Sequence, residues 1–361
     1  MYNDLDFYLA ANTAKGFYSL FDELYDPFGG WRAYILKGGP GTGKSSMMKA
    51  IAAACAKEGL VPERIWCSSD PQSLDALIFH DVKICVADGT PPHTVEPKFP
   101  GAVETLVNLG GFWDAEKLFQ RRKSIIGLTA ECASLHKRCA RFLLAAESLD
   151  RDVKRIAAAC VDLEKLARYA SRLAGRKFGA PRGRVGTESR RFLGAVTPKG
   201  TDFFEDTVTR LCTDVMIAED EYGAVSSLLL SDLRRYALGN GLDVISCPCV
   251  LDPDGPPEHL FVPETGFGIV TCKSFHRFDF PGAQKVRYAR FTDTAGLRER
   301  KCRVNFSLRT EKELLEEAVV SMRNALELHD KLEELYVDAM DFTKVEEAGR
   351  RIAAEIVASC G

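Results

Sequence analysis

The chain has 361 residues, 46% of them apolar and 27% charged, and its 48 Lys+Arg against 51 Asp+Glu leave a net charge of −3. Such a composition is globular, exceeds the about 100 to 200 residues of one usual domain, and excludes bulk electrostatic attraction to nucleic acid or acidic lipid. No apolar run approaches the roughly 18 residues of a membrane span, and the opening Met1-Tyr-Asn-Asp-Leu-Asp6 lacks the basic flank and apolar core of a signal. A cytoplasmic protein with no membrane association is expected. The twelve cysteines show no metal-ligand spacing, so Cys247-Pro-Cys249 reads as two buried thiols on a strand.

In chain order, Ala33-Tyr-Ile-Leu36 suits a buried strand, and Met47 to Lys57 carries helix formers with no breaker until Gly59. Between them Gly38 to Ser45 fits GxxxxGK[ST], a Walker A motif in the strand-loop-helix context that a phosphate-binding loop requires. Gly38, Gly39, Pro40, Gly41, Thr42, Gly43, Lys44, Ser45 and Ser46 are therefore the candidate nucleotide-binding residues. The glycines let successive N–H groups turn inward beside the positive end of a helix. Lys44 is expected to reach the β- and γ-phosphates, and the Ser45 hydroxyl to bind Mg²⁺.

Arg64-Ile-Trp-Cys67 reads as a second strand ending in Ser68-Ser-Asp70-Pro71, and Val82 to Ala87 as a third, closed by Asp88. Apolar residues followed by aspartate form the Walker B pattern, which places Asp88 to hold Mg²⁺ directly or through water. Asp70 either orients a water or accepts a proton from a substrate hydroxyl, or else caps a turn, and His93 is either near the γ-phosphate or structural. The catalytic candidates are Lys44, Asp88 and Asp70.

From Asp114 the pattern changes to a coiled-coil-like seam (Ile125, Leu128, Cys132, Leu135, Cys139, Phe142, Ala146, Leu149, Val153, Ile156, Cys160, Leu163, Ala167, Ala170). Later, Leu314 to Met340 reads as a helix, and Thr343 with Glu346 as a capping box that opens another. A comparable turn is expected near Ser148 to Asp152. The segment Gly175 to Arg191 is rich in Gly, Pro and Arg and reads as a linker, its arginines either solvated or supplying a finger to the phosphates.

The second half repeats the first. Ile35-Leu36 and Ser45-Ser46-Met47 match Met216-Ile217 and Ser226-Ser227-Leu228 at a displacement of 181 positions. Cys67, Asp70, His93 and Phe99-Pro-Gly-Ala102 match Cys249, Asp252, His276 and Phe280-Pro-Gly-Ala283, and Lys15-Gly16 matches Lys199-Gly200. At the same displacement Gly38, Gly41, Gly43 and Lys44 face Glu219, Tyr222, Ala224 and Val225, so the second loop has lost its lysine and gained carboxylates. The expected fold class is α/β, two tandem P-loop NTPase-like domains of three-layer αβα type, the second degenerate, each followed by an antiparallel helical hairpin. The boundaries are 1–113 for the active domain, 114–174 for its hairpin, 175–191 for the linker, 192–307 for the degenerate domain and 308–361 for the C-terminal hairpin.

Phe7-Tyr-Leu-Ala-Ala-Asn-Thr-Ala-Lys15-Gly16-Phe-Tyr-Ser-Leu-Phe21, the GGPGTGKSS loop, Cys-Ser-Ser-Asp70-Pro and Asp88-Gly-Thr-Pro-Pro-His93 together resemble a poorly characterised bacterial family of tandem P-loop ATPases across essentially the whole chain. The resemblance implies ATP binding and hydrolysis carried by Lys44, Ser45 and Asp88. Three functions follow: an ATPase whose hydrolysis changes the relation of two pseudo-symmetric halves, a small-molecule or nucleotide kinase, and an ATP-gated binding module without catalysis.

The expected ligands are ATP and Mg²⁺, with an unknown substrate or protein partner. The residues from Ala115 to Arg191 carry 19 Lys+Arg against 8 Asp+Glu, whereas Glu311 to Gly361 carries 6 against 13. Opposite charge predicts that the two helical arms pack on one another as an intramolecular pseudo-dimer, and nucleic acid is not expected as a partner.

Overall fold

The computed structural model describes residues 3–92, 94–273 and 275–360; His93 lies outside the described residues. The first half holds β1 (Asp6–Phe7), β2 (Ala10–Thr13), β3 (Gly16–Ser19), β4 (Arg32–Lys37), α1 (Lys44–Lys57), β5 (Glu63–Trp66), β6 (Leu74–Phe79), β7 (Ile84–Asp88) and β8 (Glu104–Asn108). Its arm follows as α2 (Ala115–Gln120), α3 (Arg122–Ala158) and α4 (Leu163–Lys177). The second half repeats this with β9 (Glu188–Arg190), β10 (Gly194–Thr197), β11 (Gly200–Phe203), α5 (Glu205–Leu211), β12 (Asp214–Glu219), α6 (Ala224–Gly239), β13 (Val244–Cys249), β14 (Asp252–Val262), β15 (Phe267–Cys272) and β16 (Gln284–Arg287). Then come α7 (Thr294–Glu299), α8 (Lys301–Val337) and α9 (Phe342–Ala358).

Two mixed six-stranded sheets result, ordered β1-β5-β6-β7-β4-β8 and β9-β13-β14-β15-β12-β16. The two orders correspond strand for strand, and so do the pairings: β5/β6 and β6/β7 are antiparallel, as are β13/β14 and β14/β15, while β7/β4/β8 and β15/β12/β16 are parallel. β6, absent from the sequence reading, is buried along its whole length, as a near-continuous apolar run in a covered sheet should be. Cys247 and Cys249 lie buried on β13, and all twelve cysteines are free thiols. Lys15-Gly16 and Lys199-Gly200 make the same turn in β2–β3 and β10–β11, with Thr13 and Thr197 each accepting the lysine N–H through Oγ1 and donating to the glycine carbonyl.

One face of each sheet is covered by helices, α1 and α9 on the first sheet, α6 and α4 on the second. The other faces meet in a shared core. Ala33, Ile65, Ile78 and Cys85 of the first sheet join Ile217, Ile245, Phe261 and Val270 of the second, with Leu143, Ala146, Leu315 and Met322 of the long helices. Tyr8 and Phe192 exchange both backbone hydrogen bonds across the halves, at 3.0 and 2.8 Å.

The expected antiparallel hairpin within each arm is corrected by the packing. α3 does not fold back on α4; it runs antiparallel along α8, as the pairs Asp152–Arg303, Arg138–Glu317, Cys132–Ala325 and Arg121–Asp338 show. The short helices then cross over, so that α4 docks on α6 and α9 docks on α1. The turn expected near 148–152 falls at 159–162, because α3 is apolar enough to stay packed on α8 to its end and Asp162 caps the next helix by accepting from Lys165 N. Likewise Asp341, not Thr343, caps α9, accepting from Lys344 N. The segment read as a linker from 175 is narrower, since α4 continues to Lys177 and Glu188–Arg190 pairs with β13 at the sheet edge. Among the described residues no helix is long and apolar enough to cross a membrane.

Candidate functional site

Residues 38–43 leave the C-terminal end of β4 and enter α1, whose N-cap Gly43 sits at φ +84°. Gly41 is also left-handed, at φ +65°. Both values are open to glycine and strained for residues with a Cβ, so the loop shape depends on these glycines. Thr42 is buried and its hydroxyl donates to Gly39 O at 2.8 Å, tying the loop across its base. Lys44 Nζ donates to Gly38 O and Gly39 O at 3.0 and 2.8 Å. Pro40 is partly buried, and Ser46 faces solvent on the first turn of α1.

β7 is the parallel neighbour of β4, with Leu36 paired to Asp88, and this register sets Asp88 beside the loop. Its Oδ2 lies 3.6 Å from Lys44 Nζ, while Oδ1 accepts Thr90 N at 2.8 Å. Ser45 Oγ accepts Leu74 N at 3.0 Å, so β6 orients the hydroxyl. Lys44, Ser45 and Asp88 are thus brought together by three adjacent elements. Asp70 is not part of this group: it accepts from Gln72 N and Ser73 Oγ and shapes the turn between β5 and β6. Asp75, buried at the start of β6, was missed by the sequence reading because it interrupts an apolar run.

The second half supplies the other wall. Glu333, near the end of α8, accepts Gly41 N through Oε1 at 3.0 Å. A Cβ on Gly41 would stand 2.6 Å from the Glu333 carbonyl oxygen, and one on Gly39 2.6 Å from the Tyr336 ring. The glycines are therefore needed for the close approach of α8 as well as for the turns. An anion already occupies a donor of the loop, and it comes from the opposite half because the arms run crosswise. Nothing local in the sequence marks Glu333, which lies 292 positions from Gly41.

At the equivalent place in the second half, the loop 220–223 between β12 and α6 is two residues shorter than 38–43. The shared left-handed N-caps are Gly43 and Gly223, which corrects the alignment at the loop: Ala224, not Val225, stands where Lys44 does. The lysine is absent in either register. Asp220 is buried, and its Oδ2 accepts Ser226 N at 2.7 Å and Ser226 Oγ at 3.0 Å, so a fixed carboxylate satisfies the start of this helix.

Lys154 of α3 and Lys273 pack against Gly223. Lys273 Nζ lies 2.7 Å from Glu258 Oε1 and 3.7 Å from Asp150 Oδ1. Glu258, His259 and His276 bring a carboxylate and two imidazoles within 4.8 Å of one another. The ion pair here is Glu258 with Lys273, and the two imidazoles beside it are held toward the neutral form. Burial holds the His259 imidazole neutral, its pKa pushed down to about 3, and Thr271 N donates to its Nδ1 at 3.2 Å. The ring proton is therefore on Nε2, which turns a donor instead of a lone pair toward Glu258. His276, expected as the counterpart of His93, bonds to Thr271 O at 2.8 Å and packs against Phe203 and Phe278, a structural place.

The fold places one glycine-lysine-serine loop against a neighbouring aspartate and a carboxylate of the opposite arm, and comparison of the chain with protein-family models, curated proteins and solved structures finds no match to set beside it.

Proposed function

We propose that the chain binds ATP with Mg²⁺ at residues 38–46 and hydrolyses it, and that the triphosphate must expel Glu333 to do so, which couples turnover to the relation of the two halves. The observation that carries this reading is the Gly41 N–H held by the Glu333 carboxylate: a loop donor takes an anion, and that anion is attached to the far half. The residues fit the cofactors. Gly41 and Gly43 keep the loop free of side chains, Lys44 supplies a positive charge that can swing from the Gly38 and Gly39 carbonyls to phosphate, and Ser45 and Asp88 offer oxygens to Mg²⁺. When bound, Mg²⁺ would neutralise charge developing between the β- and γ-phosphates. Lys44 would hold the phosphates, and the buried loop floor at Thr42 would exclude water from one side.

Displacement has somewhere to go. α8 is 37 residues, about 55 Å at 1.5 Å per residue, and it packs along α3, whose Lys154 lies against the degenerate loop. One nucleotide per chain is expected because the second loop is shorter, lacks the lysine and contains Asp220. Titration calorimetry with a non-hydrolysable ATP analogue, alongside a phosphate-release assay, tests this. Stoichiometry should be near one, Lys44→Ala should abolish turnover, and Glu333→Ala should tighten analogue binding about tenfold, the size of one charge-assisted contact removed from competition. No binding to the unmutated chain would refute the ATP reading. Binding unaltered by Glu333→Ala would refute only the displacement.

A further inference from the structure

A cavity of about 610 Å³ opens on the outer face of the second sheet, between α4 and the edge strand β16. Its floor is Tyr169 and Met216, both buried, and its rim is Arg172, Arg176, Lys285 and Arg290. Lys285 is drawn toward Glu219 and Asp279, at 3.5 and 3.7 Å. The three arginines are different: no carboxylate of the described residues lies within ion-pair distance of any of them. Arg290 is held over the Tyr169 ring at 4.9 Å and the Phe291 ring at 5.5 Å, which fixes one guanidinium without neutralising it. The other basic cavity, about 440 Å³ and lined by Arg155, Arg300 and Arg303, has less surplus charge, because Asp152 pairs with Arg155 and Arg303 and Glu299 is in the same lining as Arg300.

Internal duplication provides the control. Aligning the helix caps Asp162 and Asp341 sets Arg172 and Arg176 of α4 against Arg351 and Glu355 of α9, and the matching extents of β4 and β12 set Met216 against Tyr34, correcting by one residue the match to Ile35 read from the sequence. In the first half the Tyr34 hydroxyl donates to Glu355, and Arg351 lies 4.0 Å from the same carboxylate. That corner is closed and its charge is matched. In the second half the phenol has become a methionine and the carboxylate a guanidinium, so the corner is open and cationic.

We infer that this cavity is a binding site for a small molecule bearing two or more phosphoryl groups, seated with its phosphates on Arg172, Arg176 and Arg290 and its less polar part over Tyr169 and Met216. Planar guanidinium groups bind phosphate oxygens bidentately, and the cavity volume lies within the about 300 to 1,000 Å³ of small-molecule sites. The site is a half-open concavity with its arginines gathered at one rim, whereas a single strand of nucleic acid needs a groove that continues along its backbone.

Tripolyphosphate is the probe, titrated calorimetrically into full-length protein carrying Lys44→Ala so that the loop of the first half does not contribute. Saturable binding near one per chain is expected. It should weaken at least about tenfold on Arg176→Glu, which restores the first-half residue, and be lost in the triple Arg172→Ala, Arg176→Ala, Arg290→Ala variant. All three arginines are exposed, and an unshifted thermal melt establishes that each variant is folded. Exchange of Arg298 and Arg350, exposed arginines elsewhere, should change nothing. Non-saturable binding, or equal affinity in the triple variant, overturns the assignment. So does a single-stranded oligonucleotide that binds tighter than tripolyphosphate through the same arginines, since the face would then belong to nucleic acid.

Discussion

Arg191 Nε donates to Glu63 Oε1 at 2.6 Å, joining the first residues of the second half to β5 of the first, with the two residues only 5% and 1% exposed. His80 Nε2 reaches the other Glu63 oxygen at 2.7 Å. Burial pushes the Glu63 carboxyl up, but Arg191 and His80 outweigh it and hold its pKa at about 2. A carboxylate depressed in the folded state stabilises above its ordinary value and loses that contribution as pH falls from about 4.5 toward 2. Replacing Arg191 with Met leaves a buried charge without its main partner, and an unfolding free energy lower by about 3 to 5 kcal/mol at neutral pH is expected from denaturant titration. A loss below about 1 kcal/mol would mean that water reaches Glu63. Of the arginines in the segment 175–191, Arg191 is a core residue bonded to Glu63 and is not at the loop 38–43.

At the scale of elements, α3 and α8 bury mainly small and aliphatic side chains, among them Ala146, Val153, Leu315, Ala318 and Met322, and two acids, Asp150 and Glu311. Glu311 is 1% exposed, and neither of its carboxylate oxygens has a hydrogen-bond partner. Burial is the main reason its pKa is raised, to about 8; Asp150 and Glu258 add to the rise, while Lys273 and Lys154 oppose it. The sign is opposite to that of Glu63. The folded state binds the proton more tightly, so stability should fall as pH rises from about 4.5 to 8 and level off above it, a change on the order of 5 kcal/mol. Glu311→Gln should flatten this dependence and raise the melting temperature at pH 8. An unchanged slope in the variant would assign the effect to another group.

Element by element, the sequence was most legible where the signal is local. The strand-loop-helix at 33–57 is set by glycines and apolar residues within 25 positions, and the structure keeps that context, with α1 starting earlier, at Lys44. The arms were legible as helices but not as partners. Apolar residues at three- and four-residue steps are the same whether a helix meets its neighbour in sequence or a distant one, and only Asp162 marks the true turn. A constant displacement between the halves also misplaces a loop that has shortened by two residues, as at 220–223. Glu333 was out of reach for the same reason as the crossing: contact between positions 292 apart has no local signature.

For the whole molecule, the exposed stretch around Ala180-Pro181 is the natural place to divide the chain. Fragments 1–180 and 181–361 expressed separately would each leave the apolar side of a loop helix uncovered, α1 without Ile352 and Ile356, α6 without Leu166 and Leu173. Each should aggregate or remain unfolded alone, and co-expression should recover a one-to-one complex that elutes with the intact chain in size-exclusion chromatography. Two independently folded, monomeric fragments would contradict the crossed arrangement.

The crossing of α4 and α9 also carries a history. A single ancestral copy built on this plan could not have covered its own loop helix, and would have existed as an exchanged pair of identical chains, each lending its last helix to the other. Both loops would then have faced the same residue of the partner's long helix. Within one chain the two ends need not be alike. Lys154 and Glu333 stand at the same place on the equally long helices α3 and α8 and carry opposite charges, a carboxylate at the loop with the lysine and an ammonium at the loop with Asp220.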